Sequence, residues 1–548
     1  MPVRCLGLSL VVLCLASIVR AEPNDAGVSA APSQGSLLSG ADEILKSVTS
    51  IRGLPKKQPI RMSVMSRDQI GAMVRREGEK EYNPIEERVL KRLGLIPEQA
   101  DFKKMVFDLL TEQLGGFYDG KSKQLCIADW TPLEAQRVVW AHEFTHALQD
   151  QNFDLEQLLK DEKNPDRRMA KRALAEGDGT QAMIEFQRHE GFLLTTMVVL
   201  EMSRMKSPVL DHVPAAIKAD LLFPYLNGLE FVKALRQAAL TRGRNQNAAV
   251  DDAFRNPPDS TEQILHPEKF LDRELPAKVD APKIEGELER DVFGEFGWTR
   301  LFATRMPMTT AQRAAAGWGG DRSIVYGSIA SESDPISIVN LSIWDTVTDA
   351  IEAEYAGLRL MSGLARAKVA LSSGVFADAK SHLWSVERHG DQVLMIFGSP
   401  SKTRQAEIRD AVWKTWTVER ASGFSISPVD LAEGLRKLEA HHFLIPKSLF
   451  DRFWRGNDFS YAAQIVSSIE KREANGVKLI GVVPDRLFAR LELEKGDRIF
   501  RLNGIELRSR DDLNGLMLRA ARTMKKFVLS VSRGEQSFDL IVDVVSPP

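Results

Sequence analysis

Ala141-His142-Glu143-Phe144-Thr145-His146-Ala147 sets two histidines four residues apart with a glutamate directly after the first. Imidazoles are ligands for zinc, and a carboxylate held beside the ion rather than on it can act as a general base. The spacing works only on a helix. There, residues i and i+4 share a face, so both rings reach one ion, while Glu143 is turned away by about 100° per residue. The chemistry expected of this group is zinc-assisted hydrolysis, with Glu143 taking a proton from the activated water and passing it to a leaving amine. The competing reading is a solvated pair of histidines on a surface helix. Val138, Val139, Ala141, Phe144, Ala147 and Leu148 make the stretch too apolar for that.

Several elements must position these groups. Thr131 is the expected N-cap, Pro132 the first helical residue and Glu134 the partner in a capping box, with the helix running to about Asp150. A strand at Ile60–Val64 and helices across Arg67–Arg76, Pro84–Leu93 and Phe102–Leu114 come first. Gly115 to Ile127 reads as a hairpin turning at Asp119-Gly120, and its first strand is placed to pair with an extended peptide, though an ordinary hairpin fits equally. Asn164-Pro165 starts another helix, continued over Ala170–Gln187. Met169, Ala173, Glu176, Thr180 and Ile184 share a face of it, and Gly177 and Gly179, which weaken it by about 1 kcal/mol each, make sense if another helix must approach closely. A buried carboxylate needs a partner, so Glu176 is the expected third metal ligand. Ala219–Arg236 is predicted helical, with a kink or break at Pro224-Tyr225. After a polar loop at 241–256, Asp259 or Ser260 caps a short helix with Glu262 or Gln263. Capping leaves His266, before Pro267, unexplained.

The chain has 548 residues, 43% of them hydrophobic, enough for two to four domains. A net charge of −2, with no basic run interleaved with aromatics, gives no sign of a nucleic-acid partner. Arg4, the apolar run Leu6–Ile18 and Val19-Arg20-Ala21 read as a signal peptide (residues 1–21) cut after Ala21, with an uncleaved anchor as the alternative. No later stretch is apolar enough to be a transmembrane helix. Residues 22–40 read as a flexible linker. Of three cysteines, two lie in the leader, and a lone Cys126 fits a bacterial envelope better than a disulfide-stapled secretion product. Residues 286–420 read as α+β, with helices around Glu289–Thr304, Thr309–Ala316, Asp345–Leu360 and Arg404–Trp416 and strands at Ser323–Ile329, Ile336–Ile343, His382–Arg388 and Gln392–Phe397. Gly317-Trp318-Gly319-Gly320-Asp321-Arg322 reads as a loop without evident chemistry.

His142-Glu143-x-x-His146 followed by Glu176 resembles the gluzincin class of zinc metallopeptidases, in which a Glu on the next helix completes the ligand set. Gln149 and Asn152 stand where metzincins have a glycine and a third histidine. Gly116-Phe117-Tyr118-Asp119, Glu176-Gly177-Asp178, Ser260 through Pro267 and the Gly317–Arg322 loop are similar to a poorly characterised group of bacterial gluzincin-like proteins. This likeness covers roughly 45–360 and draws the α+β segment toward the peptidase unit. Thermolysin-like enzymes have an Asp four residues after the third ligand, where this chain has Thr180. Asp178 is the candidate to orient a zinc histidine instead. The resemblance also implies a His or Tyr that stabilises the oxyanion. His266 is the expected residue, with Tyr225, Tyr326 and His189 as competitors. Gly481-Val482-Val483-Pro484, Leu487 to Leu491, Gly496-Asp497-Arg498-Ile499, Leu502-Asn503-Gly504-Ile505 and the hairpin about Arg533-Gly534 resemble a PDZ domain of the kind in envelope proteases and type II secretion components.

Together these readings predict a multidomain α+β chain: a mainly helical zincin-like metallopeptidase domain (41–285), an α+β accessory segment (286–420) and a C-terminal PDZ domain (430–548). The expected function is an exported, periplasmic or extracellular zinc endopeptidase acting on peptide or protein substrates, with a C-terminal peptide as the PDZ ligand. A catalytically silent, zinc-stabilised scaffold is the alternative.

Overall fold

The computed structural model describes residues 11–13, 40–129, 133–159, 164–189, 212–241, 243–328, 330, 335–367, 374–420, 434–447, 449–450, 463–470, 473–482, 487–509, 512–513 and 525–545. Most of the expected leader and linker, and the Thr131-Pro132 cap, lie outside these residues. The chain is mixed α+β and divides into two compact units. One comprises residues up to Phe270 together with Pro276–Arg420, the other Leu271–Leu275 with Ala421–Pro548. Among the described residues no helix is long and apolar enough to cross a membrane.

In the first unit a four-stranded sheet is ordered β1 (Val11–Leu13), β3 (Leu114–Asp119), β4 (Gln124–Ala128), β2 (Arg61–Met65). β3 and β4 form the expected hairpin, and β2 runs parallel to β4. Asp119 closes the turn by accepting from the Lys121 amide and the Ser122 hydroxyl. Against this sheet lie α1 (Ala41–Arg52) and α2 (Leu133–Phe153), the second carrying His142, Glu143 and His146. Ile44, Val48, Leu125, Ile127, Trp140, Phe144 and Leu148 form the core between them. Tyr118 on β3 donates to Asp150 on α2 at 2.8 Å, and Lys123 pairs with the same carboxylate, fixing the hairpin to the helix.

Behind α2 pack α3 (Pro165–His189) and α4 (Ala215–Thr241), α3 capped by the Asn164 side chain on the Arg167 amide. Of the kink or break expected at Pro224-Tyr225, a break does not occur: the helix runs through it. Neighbouring residues explain why, since the buried Asp220–Arg300 ion pair (2.5 Å) and the Phe223–Phe296 stack (4.0 Å) hold the turn that leads into the proline. Tertiary contacts outweigh one lost backbone bond.

The α+β segment is one antiparallel six-stranded sheet, ordered β6 (Glu287–Asp291), β7 (Trp318–Gly327), β8 (Ile336–Trp344), β11 (Gln392–Ser399), β10 (Leu383–His389), β9 (Val375–Ala377). Two corrections fall here. Glu287–Asp291 is a strand, with the helix α5 beginning only at Gly294 (Gly294–Ala303). The Trp318–Arg322 stretch is the start of β7 rather than a loop. Asp321 accepts from the amides of Phe293 and Gly294, from Trp318 Nε1 and from Asn340, and so fixes the start of α5.

The second unit is a sheet ordered β13 (Arg436–Glu439), β14 (His442–Pro446), β20 (Gln536–Val545), β19 (Lys526–Arg533), β17 (Arg498–Leu502), β16 (Glu473–Val482), β15 (Ala463–Glu470). Among the described residues of this sheet, β14 and β20 form its parallel pair. The expected turns are present: Asn503 and Gly504 both take positive φ (48° and 81°), and β19–β20 turns around Gly534 (φ 61°).

Candidate metal centre

Two glycines in α3 let the site form. A Cβ on Gly177 would lie 2.2 Å from the Gly228 carbonyl group of α4, and one on Gly228 would lie 2.0 Å from Ala173 O, so the two helices touch backbone to backbone. A Cβ on Gly179 would lie 2.9 Å from the His142 ring and 3.2 Å from that of His146. The two penalties in helix propensity thus have separate causes, helix contact and room for the imidazoles.

His142 Nε2, His146 Nε2 and Glu176 Oε2 converge at the centre of this packing, all three residues fully buried. The separations are 2.8 Å between the nitrogens, 3.1 Å from His142 to Glu176 and 3.3 Å from His146 to Glu176. Bonds of about 2.0–2.1 Å to a tetrahedral zinc place its ligand atoms roughly 3.3 Å apart, close to this spacing. Burial lowers His142, with His146 adding to the effect. For His146 burial is outweighed by Glu176, so it is raised, and for Glu176 burial is outweighed by the two imidazoles, so it is lowered. Three converging donors of nitrogen and oxygen type, with Glu176 Oε1 left without a hydrogen bond, fit a zinc ion.

Glu143 is fully buried, and neither carboxylate oxygen makes a full hydrogen bond among the described residues. Burial raises its pKa to about 8, with the Glu176 charge adding to the rise and His146 and the Tyr118 backbone opposing it. Alongside it runs β3: a Cβ on Gly116 would stand 4.0 Å from Glu143 Cγ. The outer edge of β3 pairs with β1 in antiparallel register, Val11 with Phe117 and Val12 with Gly116.

The orientation of His146 comes from a residue the sequence did not single out. Gln149, one turn on, donates its amide to Ala175 O (3.1 Å) and Asp178 (2.8 Å), which leaves its oxygen facing His146 Nδ1 at 2.8 Å. That oxygen can only accept, so His146 carries its proton on Nδ1 and presents the Nε2 lone pair inward. Asp178 is in turn held by Arg52 of α1 (2.8 Å), whose other side meets Asp251 (2.7 Å). Asp178 therefore acts on the histidine through Gln149. Thr180 turns its hydroxyl onto Glu176 O.

The remaining candidates separate. His266 faces Glu295 at 3.0 Å and Glu268 at 3.7 Å, and these partners, against the opposing effect of burial, raise it to about 10. Both of its ring nitrogens thus face carboxylates. Tyr225 of α4 is buried with its ring 6.1 Å from that of His142. Tyr326 packs in the core of the six-stranded sheet with Ile324 and Val339, and His189 is exposed at the end of α3. The Ser260–Pro267 motif is a brace: Thr261 donates to Asp166 in the first turn of α3 and accepts from the Phe296 amide of α5.

Residues 281–409 match a domain family of unknown function, DUF8575. No curated protein matches the chain. Among solved structures the chain is similar to the PDZ domain of EpsC from Vibrio cholerae (residues 204–305), at 20% identity over 18% of this chain and 91% of that one, with a TM-score of 0.15. This is a weak and partial likeness to a PDZ domain.

Proposed function

We propose that the protein is an exported zinc-dependent endopeptidase of gluzincin type. The observation that carries the reading is the convergence of His142, His146 and Glu176 beside a buried carboxylate, Glu143, that has no other use. Zinc held by the three supplies Lewis-acid activation of water and of the scissile carbonyl. Glu143, its proton affinity raised by burial, would accept a proton from the attacking water and return it to the leaving amine. Gln149 and Asp178 hold His146 in the ligating tautomer. The β3 edge already takes one antiparallel strand, and an extended substrate laid along it passes Gly116 and so Glu143. With His266 committed to Glu295, Tyr225 is the better-placed group to meet a developing oxyanion near His142. The second unit, on its sequence motifs, is read as a module for peptide C-termini, and the leader as the address to the periplasm or exterior.

The silent scaffold remains the second reading, and Glu143 speaks against it. A structural zinc site fills all four positions with protein and has no need of a base. The test is hydrolysis of a quenched peptide library by the purified chain, before and after chelation and zinc restoration, beside Glu143→Gln. Zinc-dependent cleavage that Glu143→Gln abolishes supports the enzyme. A zinc-loaded chain that cleaves nothing, or cleaves equally well without Glu143, overturns it.

A further inference from the structure

Away from the metal centre the first unit holds a second concavity, a cavity of about 1330 Å³ lined by the helix α6 (Pro84–Arg92), the ends of α5 and of α7 (Val347–Ala365), and the β9–β10 connection. Its lining holds seven Arg or Lys side chains against three carboxylates. Two of those carboxylates are already engaged: Glu87 by Lys91 (2.7 Å) and Tyr82 (2.6 Å), Asp378 by His382 (3.1 Å). Of the cations, Lys91 is held by Glu87, Arg300 pairs with Asp220 and Arg88 donates to Ser328 O, so the site rests on Arg92 and Arg305.

Two guanidinium groups are seated there in a specific way. Arg92 lies over the Trp384 ring, 5.6 Å from its centroid, and flat on Gly398, where a Cβ would come within 3.0 Å of it. Among the described residues Arg92 makes no hydrogen bond or ion pair, and desolvation pushes its pKa down, only partly opposed by Asp378 and Glu98. Arg305 crosses Gly363, where a Cβ would sit 2.5 Å from its side chain, and reaches Gly94; one of its terminal nitrogens bonds Thr304 O. Both glycines thus leave room for an arginine whose remaining donors line the cavity. A partly buried guanidinium without a counter-ion is costly unless a ligand supplies the charge. Beside it, Leu95, Ile96, Leu364 and Met308 give the wall an apolar part.

We propose that this cavity binds an oxyanion, carboxylate or phosphate, borne on an apolar body. Arg92 and Arg305 take the oxyanion, for which a planar guanidinium offers paired donors. The apolar body lies along the leucine and isoleucine wall. The volume exceeds the roughly 300–1,000 Å³ of common small-molecule sites, so the ligand is extended rather than compact. None of this depends on zinc or on peptide hydrolysis, and it stands or falls apart from the peptidase reading.

The test is calorimetric titration of the full chain with four probes kept below micellar concentration: dodecyl phosphate, dodecanoate, inorganic phosphate and dodecyltrimethylammonium. The two anionic amphiphiles are expected to bind one per chain, at least about tenfold more tightly than inorganic phosphate, and more weakly as salt rises. Arg92→Met and Arg305→Met should each weaken them about tenfold, the worth of one charged hydrogen bond. Arg305 is exposed, so its variant carries the test should Arg92→Met lose its fold. Preference for dodecyl phosphate assigns a phosphate ligand and preference for dodecanoate a carboxylate, and either supports the site. Binding of the ammonium amphiphile as tight as that of the anions, phosphate alone binding as well as they do, or affinities unchanged in both variants would overturn it.

Discussion

At the scale of single residues, the metal centre is set by how one amide is oriented. Gln149 has both N–H groups engaged, so its oxygen fixes the His146 tautomer without any charge on the ring's far side. Gln149→Leu should fold yet bind zinc about 10–100-fold more weakly, as read by competition with a chromogenic chelator. Unchanged affinity would remove Gln149 from the account. His266 behaves differently. Its pKa is raised from an unfolded value of about 6.5 to about 10, so the stability it contributes is full below pH 6.5 and is lost as pH rises through 10. The melting-temperature gap between the protein and His266→Gln should be widest near pH 6 and close by about pH 10, with turnover retained. A hundredfold loss of turnover with no change in melting would return His266 to the catalytic role. The two histidines and the base were legible because helical spacing alone brings them together, and Glu176 because a carboxylate among small and apolar residues needs a partner. Gln149 was legible in principle, being one turn from His146 on the same helix. Arg52 was not, since nothing local joins it to Asp178, 126 residues away.

At the scale of elements, small residues decide how the helices meet. Gly228→Ala forces a methyl into the α3 backbone and should destabilise the unit by about 1–3 kcal/mol or more, measured by denaturant titration. Gly179→Ala presses on the two imidazoles instead, so zinc affinity should fall more than stability does. If both variants lose stability alike and keep zinc equally, the two glycines have one role and not two. The sequence pointed to a helix approaching α3, as α4 does at Gly177, but not to the imidazoles that Gly179 accommodates. It also allowed a break at Pro224 and read the Trp318–Arg322 stretch as a loop, for related reasons. Proline and glycine argue locally for a break or a loop, while the Asp220–Arg300 pair, the Phe223–Phe296 stack and the four donors on Asp321 come from elements distant in sequence.

At the scale of the molecule, the residues of the metal centre and of the cationic cavity all belong to the first unit, and the β-rich unit from Ala421 onward has its own core of Phe443, Ile445, Val477, Leu479, Val531 and Leu540. A chain ending at Arg420 should therefore keep hydrolysis of short peptides nearly intact and lose efficiency on folded or tailed protein substrates. Equal loss on both would make the second unit structural for the first. The central claim is narrower than any of this: His142, His146 and Glu176 hold one zinc ion. Elemental analysis of the purified chain beside Glu143→Gln and Glu176→Ala tests it directly. The account predicts one zinc per chain in the first two and a marked loss in the third. A natural chain without zinc, or a Glu176→Ala chain that keeps its full complement, would contradict it.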